Sequence, residues 1–267
     1  MRYRNVFWDE RAFDAEDGPH MPSILAIGDS WFWYPFPGGS LINYLGDLVG
    51  PKGHNIFAVG QNGAEAYQYV YGTDEKRVRR ALNFHGQSLS AVFISGGGND
   101  FAGFNDLRPL LKYNCANAND EVDCFNPQPT GELYRLMDKI AECYKVLIGR
   151  ILVSANDRVK IYVHNYDYAY PSGKGVFGNS STWLKAALDA ANVPTHLQRR
   201  CIAHILDNFT LRLQQIEREN QNHVVLVDSR ETLQAHQWAN ELHPKPEGFE
   251  KIAVDRWAPH LRSAGLA

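Results

Sequence analysis

Five short apolar runs punctuate the chain, each closed by turn residues and each followed by apolar positions at helical spacing. They are Ile24-Leu25-Ala26-Ile27, Asn55-Ile56-Phe57-Ala58-Val59, Ala91-Val92-Phe93-Ile94-Ser95, Val159-Lys160-Ile161-Tyr162-Val163-His164 and His223-Val224-Val225-Leu226-Val227-Asp228. Near-continuous apolar runs, rather than strict alternation, predict strands covered on both faces. Between them, Ser40 reads as the N-cap of a helix through Leu45, and a second helix starts near Ala64 to Ala66. Residues 74–82 read as a charged outer helix, and residues 131–156 as a long amphipathic one with Leu133, Met137, Ile140, Tyr144 and Leu147 on one face. Residues 182–191 and 195–219 are helical, and a last helix starts at Pro246 and runs to about Leu261. Strands alternating with helices predict an α/β fold: a three-layer α/β/α sandwich on a five-stranded parallel sheet with right-handed crossovers.

Three stretches break the pattern. Residues 1–20 are polar and aromatic without a period, and are expected to form an N-terminal arm. Trp31-Phe32-Trp33-Tyr34-Pro35-Phe36-Pro37 is too aromatic for a solvated loop; its rings either cap the core or line an apolar pocket. Residues 102–130, rich in Asn, Asp and Pro, read as an irregular insertion and an expected lid, since long loops in compact domains tend to be functional or mobile. No linker separates two comparable halves, so residues 1–267 are expected to form one domain.

Composition narrows the partners. Hydrophobic residues make up 44% and charged residues 21%, values of a globular domain with a sizeable core. A formal net charge of −3 and the lack of a basic run argue against nucleic acid, which needs a phosphate-neutralising surface. No apolar run is long enough to span a membrane, and the first residues lack an apolar stretch with a cleavage site, so a cytoplasmic protein is expected. The histidines and the 4 cysteines show no metal-ligand spacing. Neither a metal nor another cofactor is expected. Cys115 and Cys124 flank a polar loop and would close a short disulfide in an oxidising compartment; oligomeric state is not readable.

Candidate chemistry sits at the ends of the runs, where ligands of open α/β sheets bind. The first ends in Gly28-Asp29-Ser30, the third in Gly96-Gly97-Gly98-Asn99-Asp100, and Asn240-Glu241-Leu242-His243-Pro244 precedes the last helix. Gly, Asp, Asn and Ser are ordinary turn residues, so each segment alone is a weak signal. Glycine turns also suit phosphates, but the Rossmann and Walker spacings are absent. The amide of Asn99 can donate to an oxyanion while its own oxygen is held by the turn.

Together and in this order, the three segments resemble the SGNH (GDSL-type) hydrolases. The resemblance covers most of the chain and implies the flavodoxin-like strand order 2-1-3-4-5 and a catalytic serine, Ser30, with His243 as base. It implies an oxyanion hole of Ser30, Gly63 and Asn99, with Gly60 the other register for the glycine, and no cofactor. The family usually carries Asp three residues before the histidine; here Asn240 stands there. Asn240 as orienter of His243, a main-chain carbonyl, Glu241 and Asp228 are the alternatives, and His164 and His236 the other possible bases.

The activity implied is cleavage of a small-molecule carboxylic ester through an acyl-enzyme, with Trp31, Trp33 and Tyr166 contributing an apolar or aryl substrate surface. Carbohydrate O-deacetylation is the alternative within hydrolases. A non-catalytic binding module is the alternative outside them, favoured by the change to Asn240. Phosphate-ester binding on the glycine turns is a third.

Overall fold

The computed structural model describes residues 5–9, 21–33, 39–176 and 183–267. Most of the expected N-terminal arm, the Tyr34 to Pro37 part of the aromatic cluster and residues 177–182 lie outside the described residues.

The predicted strands form where the apolar runs fall: β2 (Ile24–Gly28), β3 (Ile56–Gly60), β4 (Ala91–Ser95), β5 (Lys160–His164) and β6 (Val224–Val227). A further strand, β1 (Val6–Phe7), pairs with β3, so the sheet has six strands, not five. Two residues are too short to show an alternation. What fixes them is tertiary: Val6 packs on Gly46, and the Asn5 side chain donates to the carbonyls of Gly46 and His54. The order is β1-β3-β2-β4-β5-β6, all neighbours parallel; without β1 it is the expected 2-1-3-4-5 order. Strands β2, β3 and β4 are buried along their whole length, the physical correlate of their unbroken apolar sequence.

Helices cover the sheet on both sides. On one side α2 (Leu41–Val49) packs with α9 (Pro246–Ile252) and α10 (Ala258–Ser263). A π turn, Ala253–Trp257, interrupts what the sequence suggests is one helix, and its Trp257 ring is buried against Phe32, Phe93 and Tyr162. On the other side α3 (Ala66–Val70), α4 (Glu75–His85), α6 (Glu132–Ser154) and α8 (Thr195–Glu219) pack together.

Residues 102–130 form a packed unit. They hold α5 (Phe104–Leu107), two 3-10 turns and an antiparallel bridge between Leu111 and Phe125. Leu107, Leu110, Leu111, Cys115, Cys124 and Phe125 are buried, and Asp120 and Glu121 pair with Arg200 of α8. Spaced apolar side chains within a polar segment account for this packing, because burying them against α8 offsets the entropy of ordering the segment. All four cysteines are free thiols.

Candidate active site

Strand β2 delivers Ser30. Its last residue, Gly28, must be glycine, because a Cβ would meet the Phe32 ring at 2.4 Å and the Ser95 carbonyl at 2.9 Å. Asp29 continues the ladder to Ser95 O at 2.9 Å, and Ser30 then opens the one-turn helix α1 (Ser30–Trp33). Asp29 Oδ1 accepts from Trp31 N–H at 3.0 Å, pinning that turn. As the first helical residue, Ser30 has a main-chain N–H with no intrahelical acceptor.

The Trp238 to Pro244 loop brings His243 to it. An antiparallel bridge joins Trp238 and Pro244, Ala239 N–H donates to His243 O at 2.9 Å, and Trp31 Nε1–H donates to Leu242 O at 3.0 Å. His243 Nε2 lies 2.7 Å from Ser30 Oγ, between residues 213 positions apart in sequence. Asn240 Oδ1 accepts from the main-chain N–H groups of Leu242 and His243, both at 2.9 Å, and lies 3.1 Å from His243 Nδ1. An amide oxygen accepts only, so Nδ1 carries the proton and Nε2 is left to accept from the serine hydroxyl. Burial holds His243 down to about 4, so the imidazole is neutral near pH 7.

The glycine turn after β4 delivers Asn99. Its amide nitrogen donates to Ala64 O at 3.1 Å and to Asp29 Oδ2 at 3.3 Å, so residues from the turns after β3 and β2 hold the amide nitrogen, where the sequence suggests that Asn99's own turn holds the oxygen. Asp29 Oδ2 also accepts the Tyr166 hydroxyl at 2.7 Å, and Tyr166 in turn accepts from Gly98 N–H at 3.1 Å. Burial pushes Asp29 up to about 7, opposed by the bonds from Tyr166 and Trp31. Gly63 is exposed with φ +77°, one residue before the Ala64 carbonyl that anchors Asn99. Gly60 has a packing reason to be glycine: a Cβ there would lie 2.0 Å from Gly28 O.

No family model and no curated protein sequence matches the chain. Solved structures do, 67 chains among them. A putative GDSL-like lipase from Parabacteroides merdae superposes with a TM-score of 0.55 at 14% identity, over 92% of this chain and 97% of that one. An extracellular lipase from Streptomyces rimosus gives 0.52 at 17% identity, over 91% and 99%. Phospholipase A1 from Streptomyces albidoflavus gives 0.51 at 15% identity, over 92% and 100%. The chain has the SGNH hydrolase fold.

Within the SGNH pattern, the structure gathers Ser30, His243, Asn240 and Asn99 at the carboxyl edge of the sheet. The cleft beside Ser30 is lined by Asn99, Trp31 and Tyr166 among others, but not by Gly63 or Trp33. Trp33 instead meets Trp8 with ring centroids 4.2 Å apart and carries the Arg77 guanidinium 6.0 Å from its ring. Its place on the far side of α1 follows from helical geometry, which sends neighbouring side chains in different directions.

The other bases and orienters are occupied elsewhere. His164 is fully buried between Ser95 Oγ and Ser229 Oγ, at 3.1 and 2.8 Å, and burial holds it down to about 3. His236 is exposed. Asp228 binds Arg230 and Asn165. Glu241 gives both carboxylate oxygens to four main-chain N–H groups, of Gly173, Trp183, Leu184 and Lys185. It thereby clamps the His243 loop to the start of α7 (Leu184–Ala190). Asp167 does the same for Tyr168, Glu231, Thr232 and Leu233, and supports Glu231 at φ +59°. Sequence reading named Glu241 only as a possible orienter of His243 and missed its clamping role, Asp167 and the Tyr166 to Asp29 bond, since no local pattern marks a side chain whose partners lie in other segments.

Proposed function

We propose that the protein is a serine hydrolase that cleaves carboxylic esters through an acyl-enzyme. The observation that carries this reading is the 2.7 Å contact of Ser30 Oγ with a His243 Nε2 whose tautomer leaves it an acceptor. Ser30 Oγ attacks the ester carbonyl as its proton passes to Nε2. The developing oxyanion takes hydrogen bonds from the Asn99 amide, whose 3.3 Å approach to Asp29 is long enough to be given up, and from the Ser30 main-chain N–H. Collapse breaks the C–O bond, and the leaving alkoxide takes the proton from Nε2. A water then repeats the sequence and frees the acid and Ser30.

Asn240 favours a second reading, a binding module that keeps the cleft without turnover, because an amide orients imidazole but brings no charge to stabilise imidazolium. A fluorophosphonate probe separates the two. The hydrolase is expected to carry one covalent adduct, on Ser30, that is absent from Ser30→Ala. Intact folded protein without an adduct and without turnover of any ester supports the module.

A further inference from the structure

Resting on the hydrolase reading, we infer that the enzyme is specific for esters of very short acyl groups, acetyl above all, and that side chains outside the motif turns set this limit. The cleft runs from Ser30 and Asn99 into a wall of Phe101, Ala102, Leu184, Ile202, Leu206 and Trp238, all buried. His243 is not part of this wall. The leaving alcohol takes its proton from His243 Nε2, so it must stand on the imidazole side of Ser30. That assigns the walled cleft to the acyl group.

Its size then decides the acyl length. The cleft offers about 40 Å³. An apolar cavity of roughly 150 Å³ holds a benzene, so this space takes only a few heavy atoms, on the scale of an acetyl group. Widening is resisted by how the wall is built. Ile202 and Leu206 sit on the 25-residue helix α8, and Leu184 starts α7, where its main-chain N–H is held by Glu241 at 2.9 Å. Such a wall is close-packed, so a longer chain has to displace it or turn back out through the open mouth of the cleft, away from the apolar lining. Two carboxyl groups lie on the lining, and both are spent within the protein: Asp167 on main-chain N–H groups, and Asp29 on Trp31 N–H, the Tyr166 hydroxyl and the Asn99 amide.

The test is a series of p-nitrophenyl esters from acetate to octanoate, read as kcat/KM below the solubility limit of each ester. The wild type is expected to favour acetate, falling at least about hundredfold by octanoate. Leu206→Ala enlarges the cleft and is expected to raise the hexanoate-to-acetate ratio at least about tenfold, whereas Ala102→Val narrows it and lowers the propionate-to-acetate ratio. Each variant is compared at a temperature where circular dichroism shows it folded, and if one does not fold the other still decides. A wild-type profile that is flat or rises with chain length overturns the inference, as does an unchanged ratio in a folded variant. Fluorophosphonate labelling of Ser30 keeps the two failures apart: a labelled enzyme with a long-chain preference sinks only the acyl assignment, whereas an unlabelled, inert protein sinks the hydrolase reading beneath it.

Discussion

Asn240 and His243 meet across a three-residue turn, Oδ1 3.1 Å from Nδ1, with the same oxygen accepting two main-chain N–H groups. An amide there fixes the imidazole's tautomer without stabilising its charged form. In the serine protease template, the Asp to Asn change costs on the order of ten-thousand-fold in rate. Asn240→Asp is therefore expected to raise kcat at least about tenfold, and Asn240→Ala to lower it. Steady-state kinetics on an acetate ester check both; a folded Asn240→Asp protein with a lower kcat would remove the charge argument.

The pH profile follows from the depressed His243. The base is active when neutral, and a pKa held down to about 4 means that form persists to low pH. Accordingly kcat/KM should rise through about pH 4 and stay level across the ordinary histidine value of 6.5. In Asn240→Asp the acid limb should move upward. A wild-type limb centred near 6.5, in protein that circular dichroism shows folded, would contradict the desolvated imidazole.

Stability carries both signs. His243 and His164 have folded values below 6.5, so what their burial contributes is intact above 6.5 and is lost as pH falls through about 4 and about 3. Burial pushes Asp29 and Asp100 up to about 7, so their contribution is full below 3.8 and is lost as pH rises through about 7. Relative to Asp29→Asn, the wild type should therefore lose melting temperature between pH 5 and 8. Calorimetry of the pair reads the difference directly, and parallel curves would show that Asp29 does not titrate there.

Removing the amide at Asn99 tests the oxyanion assignment. Asn99→Ala is expected to lower kcat by about a hundredfold to a thousandfold with a smaller change in KM, the loss seen when one such donor is deleted. A change confined to KM would place Asn99 in ground-state binding instead.

The thiols are countable. Cys115, Cys124 and Cys201 are buried, and burial beside Cys124 pushes Cys115 up to about 12; only Cys143 is half-exposed. A thiol reagent should find at most one group in the native protein and all 4 after unfolding without reductant. Two fewer would reveal a disulfide.

Much of this architecture was legible in the chain, because strands β2 to β6 and the turns at Asp29, Gly63 and Asn99 are signalled by residues adjacent in sequence. Unbroken apolar runs specify covered strands, and glycines with φ such as +104° at Gly97 specify tight turns. Tertiary structure alone decided the rest. Strand β1 exists because β3 offers it an edge; Tyr166 reaches Asp29 across 137 positions, while Trp33, one turn from Ser30, faces Trp8. The cleft volume arises from side chains of α7, α8 and the segment after β4, which share no pattern along the chain. Local sequence carries period and turn chemistry; which side chains converge depends on packing between segments, and no single stretch encodes that.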